Sequence, residues 1–305
     1  MKQHQAIPLV LLSLLLWPAC SRSAPAVDTD DPWVRDVIER RTDKDREFRT
    51  SATSPLAGIQ FLKSKPGNAA ALTRDDQGRF GLTDAEDGRA ILRVTESAGT
   101  WSWHREAPDV VAEKAGQPLA DGAALDRSVT FAIERFTISV YPQSDTVTFK
   151  VFDAQRPGFS KFKQLEYYPP DRRYAVSATL VKTAENDAVT LLTSQNLEKT
   201  FYRYARIGFQ IDGKDQALTA YKYALSGDGS DQLFIPFKDA TSGKETYGAG
   251  RYLDLEEPDT ASFVLDLNDC YNPLCNYSSA FNCPIPPREN HLQVAVRAGE
   301  KTYPH

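Results

Sequence analysis

The stretch RIGFQIDGKDQALTAYKYAL, at residues 206–225, decides the fold class. Ile207, Phe209 and Ile211 alternate with polar or small residues, so in a strand their side chains point to one face. The Asp-Gly dipeptide that opens DGKDQ, at residues 212–216, is typical of a hairpin turn. The run ALTAYKYAL then predicts the returning strand. The stretch as a whole predicts an antiparallel hairpin with one buried face.

Similar strand patterns recur along most of the chain. Short alternating or β-branched runs include RAILRV, TVTFKVF, YAVSATLV, QLFIPF, SFVLDL and HLQVAVRAG, and clusters rich in Gly, Asp and Ser separate them. After the N-terminal region there is no convincing helical periodicity and no fixed repeat, which argues against βαβ units. We therefore predict an all-β, mostly antiparallel fold of two β-sandwich or barrel-like domains with one N-terminal helix.

The boundary between the two β domains is expected within residues 153–173. This segment, DAQRPGFSKFKQLEYYPPDRR, contains three prolines and no alternation. One β domain is predicted at residues 51–155 and the other at residues 165–301. A helix at residues 31–50 precedes both, because Asp31 is a good N-cap and a proline follows it at the first helical position.

The first residues are expected to be a targeting signal. The apolar run IPLVLLSLLLW, at residues 7–17, is too short to span a bilayer as a helix and is typical of the core of a signal peptide. The sequence PACS then resembles a bacterial lipobox, in which a small residue precedes the cysteine that is lipidated. The predicted signal peptide is therefore residues 1–19, with lipidation on Cys20 and a polar tether at residues 20–30.

A signal peptide followed by a lipidated cysteine predicts a location in the bacterial cell envelope. A lipid anchor on Cys20 would hold it on a membrane, facing the periplasm. Ser21 rather than Asp after the cysteine favours the outer membrane. Cleavage after Ala26 is the alternative, and it would give a secreted, soluble periplasmic protein.

Composition limits the classes of function. The chain has 305 residues, of which 41% are apolar and 25% charged, and this is typical of a globular protein. The net charge of −5 and the absence of a concentrated basic run argue against nucleic acid as a partner.

The remaining cysteines, Cys270, Cys275 and Cys283, lie in the proline-rich stretch CYNPLCNYSSAFNCPIPP at residues 270–287. Neighbouring thiols tend to pair outside the cytoplasm, so a disulfide between Cys275 and Cys283 is expected, with Cys270 left over as a small buried residue. The alternative is a zinc site that adds Cys270 and His291, but the spacings differ from those of structural zinc sites. No metal or cofactor is predicted.

The C-terminal half resembles a known family. The segments FIPFKDATSGKETYGAGRYLDL, at residues 234–255, and FVLDLNDCYNPLCNYSSAFNCPIPPRENHLQVAVRAGEK, at residues 263–301, are similar to a bacterial domain-of-unknown-function family, number sixteen-eighty-four. QLEYYPPDRRYAVSATLV, at residues 164–181, resembles the aromatic element that precedes them in the family. The resemblance implies an architecture and a site region, but no activity.

Six residues of this region are candidates for a ligand site: Asp239, Glu245, Tyr247, Arg251, Asp266 and Asn268. Arg251 carries a planar fork of donors suited to an anion. Asp266 and Asn268 lie on the same side of a strand and would contact one ligand together. The alternative is a satisfied polar turn in which Arg251 pairs with a carboxylate.

We therefore expect a binding module for a small or anionic ligand. A structural lipoprotein that contacts another envelope protein is the first alternative. The second alternative is a hydrolase that uses paired carboxylates, such as Asp239 and Asp266, or a bound metal. The common nucleophile and metalloprotease motifs are missing from the sequence, and few histidines are present for acid/base chemistry.

Overall fold

The computed structural model describes residues 28–83, 88–126, 129–184, 186–227 and 230–304. The predicted signal peptide at residues 1–19, the lipidation site Cys20 and most of the tether lie outside the described residues. Within the described ranges, no helix combines the length and the apolar character needed to cross a membrane.

The N-terminal helix α1 spans Pro32–Thr50, as the cap signals predicted. The Asp31 carboxylate accepts the Trp33 backbone N–H at 2.9 Å and so caps the helix. Val34, Val37 and Phe48 are its buried residues. A second, four-residue helix α2 spans Pro157–Ser160 within the expected boundary segment.

The N-terminal half forms two sheets around one core. The strands are β1 Gly58–Lys63, β2 Ala69–Arg74, β3 Phe80–Thr83, β4 Ala90–Ser97, β5 Thr100–Arg105, β6 Val111–Lys114, β7 Gln117–Pro118, β8 Val129–Ile133, β9 Phe136–Pro142 and β10 Val147–Asp153. Their order is β1-β10-β9-β8-β6-β7 in one sheet and β3-β2-β4-β5 in the other. Leu72, Trp103, Phe131 and Phe149, from both sheets, are fully buried in a shared apolar core. This is a β-sandwich.

The C-terminal half is built on one seven-stranded sheet. Its strands are β11 Ala175–Lys182, β12 Ala188–Leu192, β13 Glu198–Ile211, β14 Lys214–Lys222, β15 Gln232–Phe237, β16 Arg251–Glu256 and β17 Ser262–Asp266. Their order is β16-β15-β14-β13-β11-β17, and β12 pairs with β13. Irregular chain that includes Leu267, Leu292 and Val296, and not a second sheet, packs on its apolar face. All pairing between these strands is antiparallel, so the predicted all-β fold class is confirmed.

The hairpin at residues 206–225 has a tighter turn than expected. Ile211 pairs with Lys214, so only Asp212 and Gly213 form the connection, both with positive φ. The returning strand was expected to begin after the five residues DGKDQ. This was wrong, because the last three of them, residues 214–216, already belong to β14. Two residues with positive φ match the turn that follows the twist of the flanking strands. The alternation was predicted correctly, because Ile207, Phe209 and Ile211 are all buried.

The predicted strand HLQVAVRAG, at residues 291–299, is absent. Leu292, Val296 and Ala298 are buried as the alternation requires, but the segment has no strand structure. Its first half bonds to the backbone of the turn that follows β15: the Leu292 N–H donates to the Lys238 carbonyl at 2.8 Å, and the Val294 carbonyl accepts the Ala240 N–H at 3.0 Å. In its second half, Arg251 donates to the carbonyls of Val296 and Ala298. Loop backbone and the Arg251 side chain therefore replace the β-ladder here.

The two halves are joined by an apolar interface. Phe152 of β10 lies with its ring centroid 6.2 Å from that of Phe281, and a common buried cluster contains both. Ser278 Oγ donates to the Gly58 carbonyl at 2.6 Å, and a Cβ at Gly58 would lie 2.9 Å from the Cβ of Ala280. The loop that carries the cysteines therefore packs directly on the start of β1.

Candidate functional site

Arg251 begins β16 and points into the interior, where its side chain is 1% exposed. Its Nη2 donates to Asp239 Oδ2 at 3.2 Å and to the Val296 carbonyl at 2.7 Å. Its Nη1 donates to the carbonyls of Ala298 and Glu300. The acceptors of the guanidinium all belong to the protein itself. This is the arrangement of the alternative interpretation, in which Arg251 pairs with a carboxylate in a polar turn and binds no ligand. In this geometry Arg251 does not reach an external anion.

Asp239 organises the turn that precedes β16. Its Oδ1 accepts the Thr241 hydroxyl at 2.7 Å and the Ser242 hydroxyl at 3.2 Å, and its Oδ2 accepts the Val296 N–H at 2.6 Å. Gly250 follows with a φ of 106°, where an added Cβ would lie 2.5 Å from the Phe237 carbonyl oxygen. This glycine permits the close approach of two backbone segments. It does not open a space for a ligand.

Glu245 lies at the surface, in an ion pair. Its carboxylate accepts the Arg297 guanidinium at 2.8 Å and the Tyr168 hydroxyl at 3.0 Å. The hydrogen bond from Arg297 lowers the pKa of Glu245, so the carboxylate is ionised at neutral pH.

Asp266 and Asn268 contact each other and the N-terminal helix. Asp266 Oδ1 accepts the side-chain amide of Asn268 at 2.8 Å, and its Oδ2 accepts the indole N–H of Trp33 at 3.1 Å. Asn268 bonds in turn to the backbone N–H and carbonyl of Asp171, at 3.0 and 2.9 Å. The two side chains connect β17, helix α1 and the chain before β11. Both therefore have structural partners within the fold.

The six predicted residues therefore do not converge. Asp239 and Asp266, the carboxylates of the hydrolase alternative, belong to separate hydrogen-bond networks. Of the six residues, Tyr247 lines an open cleft, which is described below. Among the residues that the structure describes, no group of three or more His, Cys, Asp or Glu side chains is arranged to hold a metal ion.

Tyr247 faces the proline-rich segment at residues 270–287, which we call the cysteine loop. Its hydroxyl lies 3.9 Å from Cys275 Sγ, and the Cys275 backbone N–H donates to Cys283 Sγ at 3.2 Å. Both cysteines are free thiols, so the predicted disulfide is not formed in this structure, although the two side chains hydrogen-bond to each other. Cys270 is 1% exposed, in the core of the C-terminal half.

Cys275 and Tyr247 line a cleft of about 500 Å³ where the two halves meet, which we call the thiol cleft. Its other walls are Ile59, Gln60 and Phe61 of β1, the chain at Ser194 and Gln195, and Ser279 and Phe281 of the cysteine loop. Residues that are far apart in the sequence therefore surround the Cys275 thiol.

A second groove lies beside it, with Phe61 in common. We call it the lysine groove; it has a volume of about 390 Å³, and its polar lining includes Lys63, Lys150, Glu198, Lys199, Thr200 and Asn282. Lys63 comes from β1, Lys150 from β10 and Lys199 from β13, so both halves of the chain contribute to it. A groove of this size accommodates a small molecule.

Lys150 is the half-buried member of this groove. Its Nζ lies 4.5 Å from the ring centroid of Tyr141 and 5.0 Å from that of Phe281. Burial lowers the pKa of Lys150; the nearby Cys283 sulfur acts to raise it, and repulsion from Lys199 acts to lower it. Within the described ranges, the ion pairs include neither Lys150 nor Lys63.

The sequence contained one indication of this groove. Lys150 interrupts the apolar run TVTFKVF, and a lysine within such a run places an ammonium group on a largely buried strand. The sequence does not indicate that Lys199 lies near Lys150, because β13 and β10 come together only through a tertiary contact between the two halves.

Residues 160–301 match the model of a family described as "Protein of unknown function (DUF1684)". The chain belongs to this family through that region. The matched region contains β11–β17, the Arg251 network and the cysteine loop. The N-terminal sandwich precedes this region. The lysine groove therefore combines family residues, such as Lys199, with residues outside the matched region, such as Lys150.

Among solved structures, the chain is similar to an uncharacterized protein of Haloarcula marismortui, from gene locus rrnAC0354, whose solution NMR structure is known. The two are 39% identical over 48% of this chain and 80% of that protein, and the TM-score is 0.41. The search of the curated proteins found no match.

Proposed function

We propose that this DUF1684 protein is a binding module of the bacterial envelope that holds a small anionic ligand in the lysine groove. The observation that carries the proposal is Lys150, a half-buried ammonium group that rests on two aromatic rings and has no carboxylate partner among the described residues. A partly desolvated cation favours a charged partner, and an anion in the groove would supply one.

The charges around Lys150 support an anion over a neutral ligand. The repulsion from Lys199 that lowers the pKa of Lys150 would be relieved by a carboxylate or phosphate group between the two ammonium groups. Asn282 and Thr200 add neutral hydrogen-bonding groups to the lining, and Glu198 adds one negative charge. A ligand with one or two anionic groups fits this balance.

The proposed location follows from the N-terminal sequence. Signal cleavage before Cys20 and lipidation of that cysteine would tether the protein at a membrane facing the periplasm. In that location the groove would meet small solutes of the envelope. We test the location separately: a Cys20→Ser variant is expected to move from the membrane fraction to the soluble periplasmic fraction, and a wild-type protein found in the soluble fraction would contradict the lipid anchor.

A second candidate function is docking to another envelope protein. Val181 and Val264 are 63% and 65% exposed on β11 and β17, which are paired strands at the edge of the C-terminal sheet. Exposed apolar residues on adjacent strands favour contact with a partner. This observation is weaker than the lysine groove, because single exposed apolar side chains are common on protein surfaces.

The binding proposal is tested by titration calorimetry at low salt, with inorganic phosphate and succinate as probes. Replacement of Lys150 by Met removes the charge and keeps an unbranched apolar side chain. Loss of one charge-assisted contact is expected to raise Kd about tenfold or more. The matched control is Lys244→Met, at an exposed position outside the groove, which should change Kd by less than about twofold.

Two results would overturn the binding proposal: equal affinities of the wild type and the Lys150→Met variant, or no binding of either probe to the wild type together with no retained small molecule. Native mass spectrometry of protein purified from the periplasm gives the second measurement.

A further inference from the structure

Cys275 and Cys283 differ sharply in their surroundings although their side chains touch. Cys275 is half-buried and lines the thiol cleft, while Cys283 is 7% exposed and lies behind it in the interface between the two halves. Cys283 is also fixed by its backbone: its N–H donates to Ser194 Oγ at 3.1 Å, and its carbonyl accepts the Ser194 N–H at 2.8 Å. One thiol is accessible and its neighbour is held in place.

The hydrogen bonds give the two thiols different roles. The Cys275 backbone N–H donates to Cys283 Sγ at 3.2 Å, which brings the two sulfurs within the same short loop. The Cys283 thiol donates to the sulfur of Cys275, and the Ser194 and Tyr247 hydroxyls also lie beside that sulfur. Donors that surround Cys275 stabilise its thiolate, whereas Cys283 is a buried, protonated donor.

We propose that Cys275 and Cys283 form a dithiol–disulfide couple that exchanges with small-molecule disulfides entering the thiol cleft. Cys275 is the attacking thiol and Cys283 the resolving thiol. This inference does not depend on the lysine groove, and it replaces the expectation of a permanent structural disulfide with a reversible one.

The exchange takes two steps. The Cys275 thiolate attacks one sulfur of a disulfide RSSR, so that the Cys275–SR mixed disulfide forms and RS⁻ leaves. Cys283 then attacks Cys275 Sγ and gives its proton to the departing sulfur, so that the Cys275–Cys283 bond forms and the second RS group leaves as RSH. The RS⁻ of the first step takes from solvent the proton that Cys275 released on ionising. Together, two protein thiols are oxidised and one RSSR is reduced to two RSH. The reverse reaction with excess RSH restores the thiols.

The electrostatics agree with this assignment. The hydrogen bond from Cys283 lowers the pKa of Cys275 to about 7, so about half of it is thiolate at neutral pH. The same hydrogen bond, together with burial, raises the pKa of Cys283. Cys270, which has no such donors, is fully buried, and burial raises its pKa as well. It serves as an internal control within the same chain.

The test equilibrates the purified full chain with mixtures of reduced and oxidised glutathione, followed by acid quench, alkylation and mass spectrometry. Chymotryptic cleavage after Tyr271 and Tyr277 separates Cys270, Cys275 and Cys283, and Cys20 lies in another peptide. The expected result is a Cys275–Cys283 disulfide whose fraction changes reversibly with the glutathione ratio, while Cys270 stays reduced. A pair that stays oxidised in excess reduced glutathione, or reduced in excess oxidised glutathione, would overturn the proposal.

Two variants assign the roles. Cys283→Ser should stop the reaction at a stable glutathione adduct on Cys275, because no thiol is left to resolve it. Cys275→Ser should abolish adduct formation at Cys283. Circular dichroism confirms that each variant is folded, and the wild-type equilibrium above decides the proposal if either is not. An adduct on Cys283 in the Cys275→Ser variant, formed as fast as that on Cys275 in the other, would contradict the assignment.

The pH dependence of alkylation by iodoacetamide gives an independent readout. The titratable groups near the pair are Tyr223, Tyr247, Tyr252 and Lys150. Burial raises the pKa of Tyr247 to about 12 and also raises those of Tyr223 and Tyr252, so none of these tyrosines ionises near neutral pH. The midpoint should therefore report Cys275 and lie near pH 7. Tyr247→Phe removes one donor to the thiolate and should move the midpoint upward; a midpoint above pH 8.5 in the wild type would contradict the role of Cys275 as attacking thiol.

Discussion

Two cations of this protein, Arg251 and Lys150, show how similar charges take different roles. Arg251 is 1% exposed, and its guanidinium is held by the Asp239 carboxylate and by backbone carbonyls of the C-terminal segment. Lys150 is half-buried and rests on the rings of Tyr141 and Phe281. The first cation has its counter-charge within the fold, and the second has none among the described residues.

The difference shows that residue type alone does not mark a binding site. Arg is the better anion ligand of the two by geometry, because its planar fork matches a carboxylate. The same property makes it suitable for replacing a β-ladder, which is its role beside residues 296–300. A site is indicated more reliably by a charge whose partner is missing than by a charge that suits a ligand.

The largest loss of stability is expected from Arg251→Met, which removes the cation that has its counter-charge within the fold. The Asp239 carboxylate would remain buried without its counter-charge, and the carbonyls of Val296 and Ala298 would lose their donor. Breaking a buried pair in this way costs about 3–5 kcal/mol of unfolding free energy. Urea unfolding, followed by circular dichroism, measures it.

The control for that change is Lys150→Met, which removes a cation that has no ion-pair partner within the described residues. It should change the unfolding free energy by less than about 1 kcal/mol. If both variants lose equal stability, the distinction between a structural and an available cation is wrong.

The sequence predicted the fold class well because its signals are local. Alternation in β13 and the Asp212–Gly213 turn act within a few residues, and so does the cap that Asp31 provides for α1. The segment at residues 291–299 shows the limit. Its alternation correctly identified buried side chains, but its backbone partners are the loop backbone at Lys238 and Ala240 and the Arg251 side chain, all more than forty residues earlier in the chain. No local pattern distinguishes those partners from a neighbouring strand.

The candidate sites were predicted less well because they depend on how the two halves of the chain pack against each other. The sequence identified Tyr247, Cys275 and Cys283, and the structure brings these three together. It also grouped Arg251 with Asp266, which lie in different networks. The lysine groove was missed, because Lys150 and Lys199 come together only through packing of one half on the other.

A buried carboxylate, Glu300, holds helix α1 on the C-terminal half. Glu300 is 1% exposed, and its carboxylate accepts Lys44 Nζ of α1 at 2.5 Å, the Asn272 N–H at 2.7 Å and the Tyr277 hydroxyl at 2.6 Å. Glu300→Gln keeps the shape but removes the charge and replaces one acceptor oxygen by a donor. We expect a loss of about 1.5–3 kcal/mol in the unfolding free energy, measured by urea denaturation.

The matched control is Asp36→Asn, on the exposed side of the same helix. Asp36 pairs with Arg40 at the surface, so this change should cost less than about 0.5 kcal/mol. A loss at Glu300 no larger than that at Asp36 would show that the buried carboxylate does not hold α1 on the C-terminal half.

A buried lysine, Lys222, extends the comparison with the half-buried Lys150 to the dependence of stability on pH. Lys222 is 5% exposed, and its Nζ donates to Glu257 Oε2 at 2.6 Å, so this ammonium group has the carboxylate that Lys150 lacks. Burial acts to raise the pKa of Glu257, but hydrogen bonds from Lys182 and Lys222 outweigh it and lower the pKa to about 2. Because the folded-state pKa lies below the unfolded value, the stabilisation is present above about pH 4.5 and is lost as pH falls through about 2. The unfolding free energies of the wild type and Glu257→Gln should therefore converge between pH 5 and pH 2, whereas the Lys150→Met variant should keep a constant difference from the wild type over that range. A Glu257→Gln difference that is independent of pH would mean that this carboxylate does not hold Lys222, and the contrast between the two lysines would fail.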